Sequence, residues 1–186
     1  LGDVYKRQMV ACAIDDNVQN HQLMLLHGAQ GKGKSTFIRH LLPPELKDYY
    51  RNGMIIPENN NHLLQLSSCL LINLDEFDTL SPERMQNLKS LITQDVVNER
   101  KVYDIQNYTY IRRASFIAST NNPHCMPDVK ENRRILFSTL LNIDYHTPVN
   151  HEGIYAQAYA LYRQGFQYWY ENEEITFLNN RNDCLL

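Results

Sequence analysis

The chain has 186 residues, of which 43% are hydrophobic and 21% are charged, and its formal net charge is −3. This length fits one domain with a sizeable core, and the charge excludes a protein that is basic over its whole surface. No apolar run approaches the roughly 18 residues that cross a bilayer, and the four cysteines lack C-x-x-C spacing. The composition therefore predicts a soluble, cytoplasmic protein with no membrane association, no disulfide framework and no zinc site.

The two ends of the chain differ from its middle. Residues 1–8, LGDVYKRQ, follow no periodic pattern and resemble translated adapter read-through. We expect them to be non-native and to contribute nothing to the fold. Residues 184–186 could have the same origin. The expected domain then covers residues 9–183 and is a fragment of a longer protein.

Short apolar runs alternate with helical patterns along the chain. The runs at 22–26, 69–74, 114–119 and 135–141 are typical of buried strands. Helices are expected over 9–16, after residue 34 as far as Pro43-Pro44, over 62–67, from Pro82, and from Ile154 to about Gly165. Residues 47–61 are interpreted as mostly loop, and 96–111 as a hairpin. This order predicts an α/β fold, with a parallel central sheet, helices on both faces and a C-terminal amphipathic helix.

The most specific motif lies between the first apolar run and the helix that follows it. Residues 28–35 match the complete pattern G-x-x-x-x-G-K-[ST]. Its glycines let successive N–H groups point at phosphate oxygens, while Lys34 would reach the β- and γ-phosphates of ATP and Ser35 would ligate Mg²⁺. Chance produces such a match in about one chain of this length in 200. The predicted binding residues are Gly28, Ala29, Gln30, Gly31, Lys32, Gly33, Lys34, Ser35 and Thr36.

Two carboxylates directly follow the second apolar run. Asp75 would hold Mg²⁺ through water, and Glu76 would polarise the attacking water, as in a Walker B segment. Strands often end in acidic turns, so this pair alone is a weak signal. The phosphate-loop motif upstream strengthens it, and Glu76 favours hydrolysis over transfer to a small molecule.

Polar residues also follow the third apolar run. Asn121 would orient the lytic water or touch the γ-phosphate, although an Asn there could simply turn the chain. The pair Arg133 and Arg134 follows about a dozen residues later. These arginines could form ordinary surface ion pairs, or one could act as an arginine finger for a neighbouring subunit.

Residues 100–134 carry a net charge of +4, which leaves −7 on the rest of the chain. Tyrosines are interleaved with this charge, and such a hairpin suits single-stranded DNA, whose bases stack on aromatic rings. The alternative is that the tyrosines pack across strands and the arginines form a solvated face. The predicted DNA contacts are Arg100, Lys101, Arg112 and Arg113.

An ordered set of segments carries a family resemblance. The segments are QLMLLHGAQGKGKST, LLINLDEFD, LKSLITQDVVNERKVY, RRASFIASTNN, DVKENRRILF and IYAQAYALYRQG. Together they resemble the virulence-associated protein E family of P-loop ATPases, which occurs on phages, plasmids and integrated elements and is related to superfamily 3 helicases and primase-helicases. The resemblance spans about residues 9–169 and implies an AAA+-like P-loop fold.

The resemblance also implies roles for individual residues. It implies phosphate and Mg²⁺ contacts for Lys34 and Ser35, and a Walker B pair at Asp75 and Glu76. It also implies a sensor at Asn121, with the family's arginines beyond it at Arg133 and Arg134. The chain departs from the family pattern at two points. Lys130-Glu131 replaces a usual Thr-Gly, and Val102 stands where Pro often precedes the tyrosine.

These observations favour a motor domain of a mobile-element helicase or primase-helicase. It would bind ATP and Mg²⁺, hydrolyse ATP between subunits of a homo-oligomeric ring, for example a hexamer, and act on DNA, expected to be single-stranded. The alternative is an ATP-dependent regulatory or assembly module that unwinds nothing. A small-molecule kinase is disfavoured, because no separate substrate-binding lid is evident.

Overall fold

A computed structural model of the chain describes residues 2–56, 59–75, 77, 80–99, 108–122 and 134–183. The α-helices are α1 (Gly2–Ile14), α2 (Lys34–Arg39), α3 (Asn60–Ser68), α4 (Pro82–Ile92), α5 (His151–Arg163) and α6 (Asn172–Asp183), and a 3-10 helix covers Pro44–Tyr49. The strands are β1 (Leu23–His27), β2 (Tyr50–Asn52), β3 (Leu71–Leu74), β4 (Val96–Glu99), β5 (Tyr108–Ile111), β6 (Ser115–Thr120) and β7 (Ile135–Thr139). Among these described residues, no helix is both long and apolar enough to cross a bilayer.

The main sheet has five parallel strands in the order β2-β3-β6-β1-β7. Its interior strands form where the sequence has continuous apolar runs, because a strand covered on both faces buries successive side chains in opposite directions. Leu25 on β1 joins one buried cluster, while its neighbour Leu26 joins the other. The α/β prediction and the parallel sheet are therefore confirmed.

Helices supply the other half of each cluster. Leu66 of α3 and Leu88 of α4 pack on one face of the sheet. Met9 of α1, Ile38 of α2 and Ile175 of α6 pack on the other. Both faces of the sheet are thus covered, which leaves its edges and strand ends as places where polar side chains can converge.

The carboxyl ends of the five strands share one edge of the sheet because all five run in the same direction. The register pairs His27 with Thr120 on one side and with Thr139 on the other. Residues that follow β1, β3 and β6 are therefore brought towards each other. Ligands of open parallel sheets generally bind outside this edge.

The N-terminal residues do contribute to the fold, so the expectation that residues 1–8 stand outside it is wrong. Helix α1 begins at Gly2, and Tyr5 is only 1% exposed. The Tyr5 hydroxyl donates a hydrogen bond to the carbonyl oxygen of Phe116 in β6. Burial of the ring under the sheet explains why this segment is helical and packed.

Three elements differ from the sequence prediction. Residues 47–61, interpreted as loop, contain the end of the 3-10 helix and β2. The helix after the glycine motif ends at Arg39, before Pro43-Pro44, and the polar segment Asn172–Asp183 forms α6. The hairpin over 96–111 is confirmed, since β4 and β5 pair antiparallel.

Candidate functional site

The loop after β1 depends on glycine at two positions. Gly31 has φ 77° and Gly33 has φ 81°, both in the left-handed region that other residues rarely adopt. A Cβ atom on Gly33 would lie 2.2 Å from the ring of Tyr145, so a side chain is also excluded there by contact. The conformation explains why the glycines stand at this spacing.

Lys34 is the first residue of α2 and is only 7% exposed. Its ammonium Nζ donates to the carbonyl oxygens of Gly28 at 2.6 Å and Ala29 at 2.9 Å, and to Oδ1 of Asn121 at 2.6 Å. A buried ammonium is costly unless oxygens surround it. The loop and the end of β6 therefore hold this cation at a defined place on the sheet edge.

Asp75 follows β3 and is half-buried beside the same cleft. The side-chain amide of Asn52, at the end of β2, donates to Oδ2 of Asp75 at 3.0 Å. Strand β6 lies between β1 and β3, so Asn121 comes from the strand that separates Lys34 from Asp75. The structure thus brings the predicted lysine, carboxylate and amide to one edge.

The cleft formed there has a volume of about 620 Å³. Besides Lys34, Asp75 and Asn121, it is lined by Gln30, Gly31, Lys32, Gly33, Ser35, Thr36, Ser119 and Tyr145, whereas the predicted Gly28 and Ala29 are not among the lining residues. A second cavity of about 390 Å³ shares one lining residue with the cleft, Tyr145. Its walls are mainly apolar and include Met24, Phe37, Leu41, Val149, Ile154 and Ala158. The site therefore combines a polar half and an apolar half.

The donor set of the cleft fits a magnesium ion. Mg²⁺ prefers oxygen ligands and is usually held by one or two carboxylates together with waters and substrate phosphates. Ser35 and Asp75, the two predicted ligands, both line the cleft. Within the described ranges, no group of three or more His, Cys, Asp or Glu side chains is placed to hold a metal. The cleft suits an ion that arrives with a phosphorylated ligand.

The prediction that Arg112 contacts DNA is wrong. Its side chain is 0% exposed, and its guanidinium donates to the carbonyl oxygens of Gln94 at 2.6 Å, Ala114 at 2.7 Å and Asn20 at 2.8 Å. Burial lowers the pKa of this guanidinium below its usual range. Arg112 joins the hairpin to β6 and to the segment before β1, which is a structural role.

Arg113 also turns towards its own chain. Its guanidinium forms an ion pair with Asp16 and donates to the carbonyl oxygen of Cys12 at 3.4 Å. The side chain keeps 27% of its surface exposed. As the chain is folded here, Arg113 is engaged with the end of α1, so a DNA contact would compete with this ion pair.

Arg134 precedes β7, and its carbonyl oxygen accepts from the backbone N–H of Leu23 at 2.7 Å. It therefore lies at the amino end of the strands, opposite the edge that carries Lys34. A five-residue strand separates the two edges by roughly 16 Å. Arg134 is not brought to the cleft of its own chain.

Several predicted residues fall outside the described part of the chain. These are Glu76, Arg100, Lys101 and Arg133, together with Lys130-Glu131 and Val102, where the sequence departs from the family pattern. Three residues at the site were not predicted: Asn52, Ser119 and Tyr145. Asn52 lies on a three-residue strand that was interpreted as loop, and Tyr145 reaches the glycine loop from a segment more than 100 residues away.

The fold and this edge define the class of the protein: a parallel α/β domain with a glycine-lined, lysine-containing cleft at the carboxyl ends of its strands. The chain belongs to the virulence-associated protein E-like domain family, whose model matches residues 3–184. This confirms the resemblance drawn from the sequence segments. No curated protein matches the chain.

Solved structures of similar fold are apo structures of the C-terminal region of NrS-1. One, of residues 305–718, has a TM-score of 0.53 at 14% identity, over 93% of this chain and 42% of the other. A second has a TM-score of 0.52 at 16% identity, over 93% and 43%. A third has a TM-score of 0.53 at 15% identity, over 93% and 43%. The chain thus spans less than half of those chains, and at such identities the likeness concerns the fold.

Proposed function

We propose that the domain binds Mg-ATP in the cleft and hydrolyses it, as a P-loop ATPase of the AAA+-like branch. It would be the motor domain of a cytoplasmic mobile-element helicase or primase-helicase that acts on DNA. One observation carries the proposal: Lys34 Nζ, at the end of the glycine loop, lies 2.6 Å from Oδ1 of Asn121, in a cleft that Asp75 also lines. A cation, an amide and a carboxylate from three strand ends suit a polyphosphate with its metal.

Lys34 is the residue that would bind the phosphates. Its ammonium donates to oxygens of Gly28, Ala29 and Asn121, two of which are carbonyls of the loop itself. Phosphate oxygens carry more negative charge than carbonyls, so the ammonium can exchange loop carbonyls for phosphate without losing hydrogen bonds. Because the lysine is largely buried, its attraction to the phosphates is screened less than on an open surface.

The other roles follow from positions around Lys34. Ser35 and Asp75 would hold Mg²⁺, which supplies charge neutralisation on the phosphates when bound. Asn121 would contact the γ-phosphate or the attacking water from the end of β6, and Glu76 would polarise that water. Arg134, at the opposite edge of the sheet, and its neighbour Arg133 would serve the cleft of an adjacent subunit, which requires a homo-oligomeric ring.

The apolar cavity that shares Tyr145 with the cleft offers a place for the nucleotide base. Its volume lies in the range of ligand pockets, which are mostly apolar with a few polar groups. Tyr145 lines both the cleft and the cavity, so a ligand with a charged end and an apolar end can occupy both. ATP has these two ends.

Filling this cavity should separate base binding from phosphate binding. Ala158, which is 5% exposed on α5, lines the cavity, whereas Ala156 on the same helix is exposed. We expect Ala158→Leu to weaken ATP binding about tenfold, because the larger side chain would overfill the cavity once the base is bound. Overfilling a packed site costs about 1–3 kcal/mol. Affinity for inorganic triphosphate should stay the same, and Ala156→Leu should change neither. Calorimetry with both ligands measures this, and an equal loss for ATP and triphosphate would contradict the placement of the base.

A second candidate function follows from the arginines. Arg112 is buried and Arg113 is paired with Asp16, so two of the four predicted DNA contacts are engaged within the domain. This observation favours an ATP-dependent regulatory or assembly module that does not unwind DNA. Under the motor hypothesis, DNA would still contact the hairpin, where Tyr108 is 38% exposed and lies beside Tyr110. Stimulation of ATP turnover by single-stranded DNA supports the motor, and turnover that DNA leaves unchanged supports the module.

A further inference from the structure

A chain of hydrogen bonds connects the buried interior of β3 to Asp75 by way of β2. The parallel register places Asn52 opposite Asn73. Asn73 Nδ2 donates to Oδ1 of Asn52 at 2.6 Å, and Asn52 Nδ2 donates to Oδ2 of Asp75 at 3.0 Å. Two amides thus stand in series behind the carboxylate.

Burial of the Asn73 side-chain amide costs free energy of folding. Asn73 is 0% exposed, in a strand whose four residues are all buried, between Ile72 and Leu74. Its Oδ1 has no hydrogen-bond partner among the described residues. Burying such a group costs about 1–3 kcal/mol, which a leucine of similar size would avoid. Packing therefore gives no reason for an asparagine at this position, whereas its hydrogen bonds to the side chains of Asn52 and Tyr50 do.

The bond from Asn73 determines which way Asn52 faces. Oδ1 of Asn52 receives the Asn73 amide, and the hydroxyl oxygen of Tyr50 lies 3.5 Å from the same atom. With its oxygen turned towards these donors, Asn52 presents its NH₂ group to Asp75. A neutral amide donor fixes the orientation of a carboxylate and leaves its negative charge in place, whereas a lysine or arginine would neutralise that charge.

We propose that Asn52 is a positioning residue for Asp75, oriented in turn by Asn73, and that this pair sets how strongly Mg²⁺ promotes ATP binding. The inference rests on the proposed function, in which Asp75 holds the ion. Groups that hydrogen-bond to a metal-binding carboxylate typically change metal affinity or activity 10–100-fold when they are removed. Asn52 and Asn73 act through Asp75 and contact neither nucleotide nor metal.

The test is equilibrium binding of a fluorescent ATP analogue over a range of Mg²⁺ concentrations and in EDTA. We expect Asn52→Ala to raise the half-saturating Mg²⁺ concentration about tenfold and to leave affinity in EDTA unchanged. Asn73→Leu should shift the Mg²⁺ midpoint in the same direction by a smaller factor, because Asn52 remains. Asn98→Ala, which alters an exposed strand asparagine whose Oδ1 accepts a hydrogen bond from Thr109, should shift nothing.

Two results would overturn the inference. One is an unchanged Mg²⁺ midpoint in Asn52→Ala. The other is an equal loss of affinity with Mg²⁺ and in EDTA, which indicates general damage to the site rather than loss of carboxylate positioning. A wild-type protein that binds no nucleotide under either condition contradicts the proposed function itself, before any variant is compared.

Discussion

Replacement of Lys34 by alanine is expected to reduce ATP turnover by at least about 100-fold, the scale found when one preorganised group that stabilises developing charge is removed. The reason is the position of the ammonium, which the loop carbonyls and Asn121 hold at the point where phosphates would lie. Steady-state phosphate release measures the effect. Loss of turnover should come with weakened nucleotide binding, because the same charge serves both.

The matched control is Lys47→Ala, which removes an exposed lysine from the 3-10 helix. We expect this variant to turn over ATP at the wild-type rate. A melting curve of each variant shows whether the fold is retained, since Lys34 is largely buried. A Lys34→Ala protein that is folded and hydrolyses ATP at the wild-type rate would show that the glycine loop does not serve phosphate chemistry.

Replacement of Arg112 by methionine is expected to lower the free energy of unfolding by about 3–5 kcal/mol, the usual cost of breaking a buried charged network. Methionine keeps the length of the side chain but leaves three backbone carbonyl oxygens without their guanidinium donor. Each such oxygen left unpaired costs about 1–3 kcal/mol. Urea denaturation followed by circular dichroism measures the change.

Arg113→Met is the neighbouring control. Its guanidinium is partly exposed and pairs with Asp16, so the loss should be under about 1 kcal/mol, as for surface ion pairs. If the two variants were equally stable, the buried network around Arg112 would not hold the hairpin to the sheet. A loss of DNA binding in Arg112→Met would then indicate that Arg112 itself contacts DNA.

The strands of the central sheet were predictable because both of their faces are buried. A strand covered on both sides is mostly apolar, and β1, β3, β6 and β7 each contain a run of buried apolar residues, with Asn73 in β3 and Ser115 in β6 as buried polar exceptions. Strand β2, Tyr50–Asn52, is an edge strand of three residues, none of them buried. No local pattern marks it, so its asparagine could not be placed beside Asp75.

The convergence of Lys34, Asp75 and Asn121 was also predictable, because each follows a strand and parallel strands end at one edge. Arg112 shows the limit of such reasoning. Its charge and its tyrosine neighbours suggested a surface, yet three carbonyl groups from separate segments surround it. Such a pocket forms only when the chain is folded, and no spacing in the sequence signals it. The burial of Tyr5 under β6 is a second long-range contact of this kind.

The most direct test of the central claim is phosphate release from ATP by the wild-type protein, measured with Mg²⁺ and with EDTA, each with and without single-stranded DNA. The proposed function predicts turnover that requires Mg²⁺, that disappears in Lys34→Ala, and that single-stranded DNA increases if the domain is a motor. Absence of turnover with Mg²⁺, both with and without single-stranded DNA, in a protein that is folded and assembled, would contradict it.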